Sequence, residues 1–327
     1  MRILAVILKR VLQLAALSLL VTLATFFLSS MIPGDFFTAQ ELNPAVRRET
    51  IDQMRHRRGL DQPMPVQYLR WLGRCTRLDF GDSDFFGRPV RGVVLDALAQ
   101  TLWMAIPALA LGLAGGIIFG TIHAIHRNRV AGQVFDLVSA ITLSLPTLVL
   151  GLGALLLAAQ THWFPLGGMS SAGMQSPSFP TWLLDRLRHL VLPVGCLTLP
   201  IFAYVEKIQC AATQDCLDQP FLRAAHARGL KPLRIFFQYL LRPSLNPVVS
   251  TSGPLLGSIL SGSLVLEVIF GWPGLGQVTY NALFNRDTAL LVGCVVGSTI
   301  LLVAGNLAAD LLLIALDPRV RGQGDTA

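Results

Sequence analysis

A chain of 327 residues that is 53% hydrophobic and only 14% charged falls well below the charged fraction of about 25% usual in soluble domains. Long uncharged runs alternate with charged gaps, which excludes an ordinary soluble domain and indicates a polytopic membrane protein. The net charge of +7 would suggest nucleic acid in a soluble protein. Here the basic residues flank apolar runs, so a lipid bilayer is the expected partner and nucleic acid is not.

The first uncharged run, 11–34, follows Arg2, Lys9 and Arg10. It is longer than a signal-peptide core and no small-x-small cleavage site closes it, so it reads as an uncleaved first span. A gap at 35–96 follows, too long to be a mere connection. Within it "VQYLRWLG" places Tyr68, Trp71 and Leu72 at helical spacing, suited to lying on the membrane surface. Further uncharged runs lie at 97–122, 137–160, 190–205, 243–266 and 288–309. About 20 residues are needed to cross ~30 Å of hydrocarbon at ~1.5 Å per residue. Five runs meet this length. The fourth, 190–205, is short and is expected to extend into Arg186, Arg188 and Lys207, whose long side chains reach the headgroups. Six transmembrane helices are therefore expected.

Orientation follows from the basic residues. With the amino terminus inside, the inner segments hold thirteen Lys and Arg, and the two short outer loops hold three: Arg186, Arg188 and Arg286. The other ten lie in the 35–96 loop, where nine acidic residues nearly balance them. Thirteen against three places both termini in the cytoplasm. The resulting division is 1–34 (amino terminus and first span), 35–96 (extracytoplasmic loop), 97–316 (five-span core) and 317–327 (cytoplasmic tail).

The longest inner gap is 206–242, containing "FLRAAHARGLKPLRIF". Asp218 before Pro220 suits a helix start, the alanine-rich stretch forms helix well, and Gly229 stops it. "LRIFFQYLLRP" then leads amphipathically into the fifth span. An interfacial helix with arginines near anionic lipid is one reading. A helix inserted into a protein groove is the other, favoured by its small side chains.

Several chemistries are missing. None of the three lysines completes a Gly-Lys-Ser/Thr phosphate loop, and there is no HExxH. The five cysteines, Cys75, Cys196, Cys210, Cys216 and Cys294, show no CxxC or metal spacing, so neither disulfides nor a metal site is expected. His123 and His126 lie one turn apart beside Arg127 and Arg129, which marks them as membrane-edge residues. Ser139 and Ser144 have no His/Asp constellation nearby in sequence, so a membrane enzyme is poorly supported. Asp136, Glu267 and Asp310 lie near span ends, where hydration is expected. Without acid relays at depth an ion gradient has little to act on. Energy for uphill transport would then enter from a partner, through a handle on the inner face.

"RAAHARG" (223–229) followed by "LLRPSLNPVV" (240–249) resembles the coupling loop of ATP-binding-cassette (ABC) importer permeases of the dipeptide/oligopeptide/nickel group. Other blocks agree in order: "IPGD" (32–35), "GLDQPMPVQYLRWLGR" (59–74), "DFGDS" (79–83), "LRHLVLPVGCLTLP" (187–200), "EVIFGWPGLGQ" (267–277) and "ALDPRVR" (315–321). The resemblance covers almost the whole chain and fits the first-permease type, with its long outer loop. Asp218, Pro220 and Cys210 depart from the pattern where Arg, an acidic residue and Arg are usual, and "PGDFF" replaces "PGDP".

The resemblance implies an all-α, type I ABC importer permease fold in a bacterial inner membrane. It implies a second homologous permease subunit, two ATPase subunits and an extracytoplasmic substrate-binding protein. This chain would bind no cofactor and catalyse nothing, while ATP and Mg²⁺ are used by the partners. Pro220, Phe221, Arg223, Ala224, Ala225, Arg228 and Gly229 would form the ATPase-coupling element. Tyr68, Trp71, Trp272, Pro273 and Gly274 would contribute to docking of the binding protein. Di- or oligopeptides are the implied cargo, with nickel complexes and glutathione-like or antimicrobial peptides as alternatives within the family. A secondary carrier and a membrane-bound enzyme are the readings outside it.

Overall fold

The computed structural model describes residues 2–31, 37, 48–59, 61–75, 79–127, 129–171 and 178–316. The "IPGD" block, the tail 317–327 and the side chains of Arg2, Lys9, Arg10 and Asp310 lie outside this set. Among the described residues every regular element is helical. In chain order these are α1 (Arg2–Met31), α2 (Arg48–Arg58), α3 (Met64–Cys75), α4 (Val90–Ile125), α5 (Val130–Ser144), α6 (Thr147–Thr161) and α7 (Phe179–Leu217). They continue with α8 (Pro220–Ala227), α9 (Pro232–Arg234), a π-helical segment (Ile235–Leu241), α10 (Arg242–Ser244), α11 (Asn246–Ile269), α12 (Leu275–Phe284) and α13 (Thr288–Leu316).

Each apolar run is helical over most of its described residues, but the spans differ from the expected set. Among the described residues α4, α7 and Thr288–Ala308 of α13 are long and apolar enough to cross a membrane. The third run is not one straight helix: α5 and α6 meet at Leu145–Pro146 with a bend of 101°. Proline disfavours helical conformation in the residue before it, and Leu145 is extended. Counted as one broken span, the pair brings the number to four. The fourth run, short in sequence, belongs to the longest helix, of 39 residues. Helical backbone satisfies its own hydrogen bonds, so α7 continues through charged flanks on both sides.

The chain divides into two compact units. In the first, Met1–Thr101 with Pro273–Val303, Val90, Val93, Val94 and Ala97 of α4 pack on Leu275, Val278, Leu290 and Cys294. The buried Asp287 carboxylate accepts bonds from Ser83 Oγ (2.7 Å), Phe85 N (3.1 Å) and Leu290 N (3.0 Å), tying the outer loop to the start of α13. All five cysteines are free thiols, and burial pushes Cys75 in α3 up to about 12.

In the second unit, Leu102–Trp272 with Ala304–Ala327, α4 and α7 meet along a glycine seam. Gly112, Gly116 and Gly120 recur every four residues and so share one face of α4. A Cβ on each would stand 2.6 Å from Ile201 Cγ2, Val205 Cβ and the Glu206 carbonyl oxygen, respectively. Only the absence of a side chain allows this approach, as in small-residue membrane packing.

Following α7, α8 is fastened to its neighbours by Leu222 and Ala225, which cluster with Ile235, Leu240, Leu217 and Leu230. Its carboxyl end is a Schellman turn: Leu230 N bonds Ala225 O and Gly229 N bonds His226 O, with Gly229 at φ +66°. The amino end differs from expectation. Gln219, not Asp218, is the capping residue, and no side-chain cap bond forms.

Gly120→Leu is expected to cost roughly 1–3 kcal/mol or more through overpacking. Gly153→Leu, where an added Cβ meets nothing within 4 Å, should be near neutral. Thermal unfolding in detergent compares them, and equal midpoints would contradict the seam. Gly229→Ala also meets nothing within 4 Å, so its expected loss of about 1 kcal/mol comes from the left-handed conformation alone.

Candidate functional site

The segment 220–229, expected to couple to an ATPase, has two faces, and its sequence does not distinguish them. Leu222 and Ala225, three residues apart, point into the chain's own inner cluster. Pro220, Phe221, Arg223, Ala224, Arg228 and Gly229 are exposed. Ala225 was expected to meet a partner alongside Ala224; at 2% exposure it serves this chain instead. Beyond the Schellman turn, Leu233 and Phe237 are 74% and 57% exposed, so the outward surface of α8 to the π-helical segment is apolar with a basic rim. Arg223, Arg228, Lys231 and Arg234 supply the rim. Exposed aromatic and aliphatic side chains beside guanidinium groups have the composition of a protein interface.

Behind this surface the carboxyl-terminal part of α7 carries a buried polar network. Glu206 has no solvent exposure. Its Oε1 lies 2.5 Å from Nδ1 of His123, and its Oε2 accepts the Ser139 hydroxyl at 2.7 Å. A carboxylate only accepts, so the ring proton on Nδ1 is assigned to this bond. The other ring nitrogen of His123 faces Asp136 Oδ2 at 3.7 Å, and Asp136 pairs with Lys207. One turn further, Gln209 Nε2 donates to Thr213 and Ser244 (both 3.0 Å) and to Thr121 (3.3 Å). Arg127 donates to Gln214.

This corrects two expectations. His123 does not mark a wet membrane edge: it is 2% exposed, between Glu206 and the Phe135 ring. Ser139 does have a histidine and a carboxylate nearby. Yet Glu206 stands between Ser139 and His123, so the imidazole does not reach the hydroxyl and the three do not form a serine–histidine–carboxylate relay. His123, Glu206 and Cys210 bring ligand-type atoms within 4.8 Å of one another. The 2.5 Å contact between two of them is a hydrogen bond, and an ion could bridge them only by breaking it.

The amino-terminal part of α7 is built differently. Arg186, expected to reach the headgroups, is 6% exposed and stacks on three indoles, Trp103, Trp182 and Trp272, at 5.4, 5.3 and 5.5 Å. Arg188 is exposed, as expected. Glu267, expected to be hydrated, is fully buried, whereas Asp136 keeps a largely exposed side chain. Arg186 and Glu206 are twenty residues apart on α7, or ~30 Å of helical rise, the thickness of a hydrocarbon core.

Between these levels lies a cavity of about 360 Å³, lined by Leu143, Thr147, Pro200, Tyr204, Ile259 and Gly262 among others. It borders both the α5–α6 break and Pro200 of α7, and it contains no charged side chain.

The aromatic residues of the outer segments are placed inward. Tyr68 and Trp71 pack with Phe26 of α1, and the Tyr68 ring meets Phe26 edge-on at 5.3 Å. Trp272 is fully buried in the Arg186 cage, Gly274 is buried and Pro273 is half-buried. The exposed apolar residues of α3 are Val66 and Leu69. The helical spacing of Tyr68, Trp71 and Leu72 therefore marks a packing face, not one lying on lipid. Neither the role of Glu206 nor the burial of His123 follows from local sequence. One signal was present: His123 lies three residues beyond Gly120, on the face that the glycine spacing turns toward α7.

Comparison with known proteins follows this architecture. The family described as "Binding-protein-dependent transport system inner membrane component" matches residues 116–322, and its N-terminal membrane-component family matches 3–105. An oligopeptide transport system permease protein of Bacillus subtilis (strain 168) is 33% identical over 318 residues, covering 97% of this chain and 99% of that protein. A putative peptide permease protein of Brucella ovis is 30% identical, covering 93% and 94%. Among solved structures, an inward-facing MetNI methionine ABC transporter aligns with a TM-score of 0.55 at 17% identity. That alignment covers 69% of this chain and 96% of the other. The likeness shows a shared fold. With both parts of the sequence matched, the chain belongs to the inner-membrane permease components of binding-protein-dependent ABC importers, and it works with an ATPase and a substrate-binding protein.

Proposed function

We propose that this permease carries short peptides inward, driven by ATP hydrolysed on subunits that grip the outward surface of α8. The exposed Phe221, Leu233 and Phe237 beside Arg223 and Arg228 are the observation that carries the coupling half of the reading. An apolar patch with a basic rim fits a groove bordered by acidic side chains on an ATPase subunit. Ala224 permits close approach, while Ala225 and Leu222 hold the helix from behind.

In this reading a second homologous permease completes the pathway, two ATPase subunits use ATP and Mg²⁺, and the permease itself catalyses no reaction. Both termini are cytoplasmic, supported by the thirteen inner basic residues. The peptide assignment is supported by what the Bacillus and Brucella relatives are named for. It is also supported by an uncharged cavity holding two hydroxyl-bearing side chains, Thr147 and Tyr204, which suits a backbone with varied side chains. The binding protein would meet the outer loop at exposed residues such as Val66 and Leu69. Tyr68, Trp71, Trp272, Pro273 and Gly274 would shape that surface from beneath.

Replacing two exposed residues at once, Phe221→Glu with Arg228→Glu, is expected to weaken ATPase association by about 2 kcal/mol or more, roughly 30-fold. Co-purification and ATP-dependent uptake of labelled peptides should both fall while membrane insertion persists. Uptake that survives without ATP and collapses with an uncoupler would overturn the reading. Ala224→Cys should be labelled by a membrane-impermeant thiol reagent only from the cytoplasmic side; labelling from outside would reverse the orientation.

A further inference from the structure

The polar contacts around Glu206 fasten four elements together at one depth. Glu206 on α7 holds His123 of α4 and Ser139 of α5. Lys207 holds Asp136 of α5, Gln209 holds Thr121 of α4 and Ser244 of α10, and Gln214 holds Arg127 just beyond α4. The glycine seam ends at the same place, with Gly120 against the Glu206 carbonyl. Immediately below, α7 passes through Leu217 and Cys216 into the cluster that seats α8.

Immediately above, the same elements have breaks. α5 ends at Leu145–Pro146, where the chain bends by 101° into α6. α7 contains Pro200, whose missing N–H removes one rung of the helical ladder six residues before Glu206. Both breaks border the 360 Å³ cavity: Leu143 and Thr147 flank the first, and Pro200, Ile201 and Tyr204 mark the second. The chain is thus laced below a level and hinged at it.

We propose that Glu206 is a positioning residue for energy coupling. It clasps the inner ends of α4 and α5 to α7, so that displacement of α8 reaches them as one body turning about Pro146 and Pro200. Such a turn changes the width of the cavity between the two breaks. A carboxylate suits the task because each oxygen holds a different helix, and a buried acceptor that loses either partner is strongly disfavoured. The proposal rests on α8 being the ATPase-facing element.

The test uses the assembled importer in proteoliposomes, with binding protein and a labelled alanyl peptide outside and ATP inside. Glu206→Gln, His123→Phe and Ser139→Ala are each compared with wild type. Receptor-stimulated ATP hydrolysis should stay within about twofold, while peptide moved per ATP falls roughly fivefold or more in the first two and less in Ser139→Ala.

An unchanged peptide-per-ATP ratio in Glu206→Gln and His123→Phe overturns the proposal. So does a proportional fall in transport and hydrolysis, which is the mark of simple loss of folded protein. Should Glu206→Gln fail to assemble, His123→Phe and Ser139→Ala decide, and wild-type ratios in both overturn it. Crosslinking from Ala224→Cys to the ATPase in the same preparation scores the parent reading separately. Its loss in wild type would refute α8 docking, whereas its presence with an intact ratio refutes only the clasp.

Discussion

A carboxylate sealed from water in the carboxyl-terminal part of α7 constrains everything packed around it. Removing one partner from a buried hydrogen-bonded charge costs roughly 3–5 kcal/mol, a large share of the net stability of an ordinary fold. Glu206 therefore fixes which faces of α4 and α5 turn inward, since His123 and Ser139 must both reach it. The glycine seam allows this: a Cβ at Gly116 or Gly120 would stand 2.6 Å from Val205 Cβ or the Glu206 carbonyl oxygen, so a larger residue would force α4 and α7 apart next to the His123–Glu206 bond. Close approach and polar pairing are one constraint seen from its apolar and its polar sides.

The opposite end of α7 meets the same problem with different chemistry. Arg186 lies among three indoles, whose faces attract a cation without presenting lone pairs. The two residues are separated by about the thickness of the hydrocarbon, so α7 is anchored at both levels. Between them the stretch 190–205 carries no charged side chain, and the cavity and the proline breaks occupy that interval. A permease must hold its helices firmly at the surfaces where partners press on it. It must also let them part along the path between. Polar anchors at the rims and proline breaks in the middle meet both demands.

The coupling surface shows a similar division of labour on a scale of eight residues. Phe221 and Ala224 face out, whereas Leu222 and Ala225 face in. One set is open to solvent, and the other packs against Leu217 of α7 and Ile235 and Leu240 of the π-helical segment. A short helix in water is unstable alone. Packing of its inner face and the turn at Gly229 keep it formed, and only a formed helix can act as a lever.

The sequence by itself determined the class of molecule, the largely helical nature of the apolar runs over their described residues, the turn at Gly229 and the family. Each of these depends on local composition, on the reach of a helix through hydrocarbon or on the order of short motifs. Tertiary structure alone decided which side of each helix is used. It turned Ala225, Tyr68 and Trp71 inward, bent the third run at Pro146, and buried Arg186 and Glu267, where the sequence suggested headgroups and water. It also joined His123 to Glu206 across 83 positions. The physical reason is that in a membrane helix both faces are apolar, so hydrophobic periodicity, which marks the core side of soluble helices, carries little signal. Helix facing is then set by small residues and by polar groups that must find each other, and those pairings exist only in three dimensions.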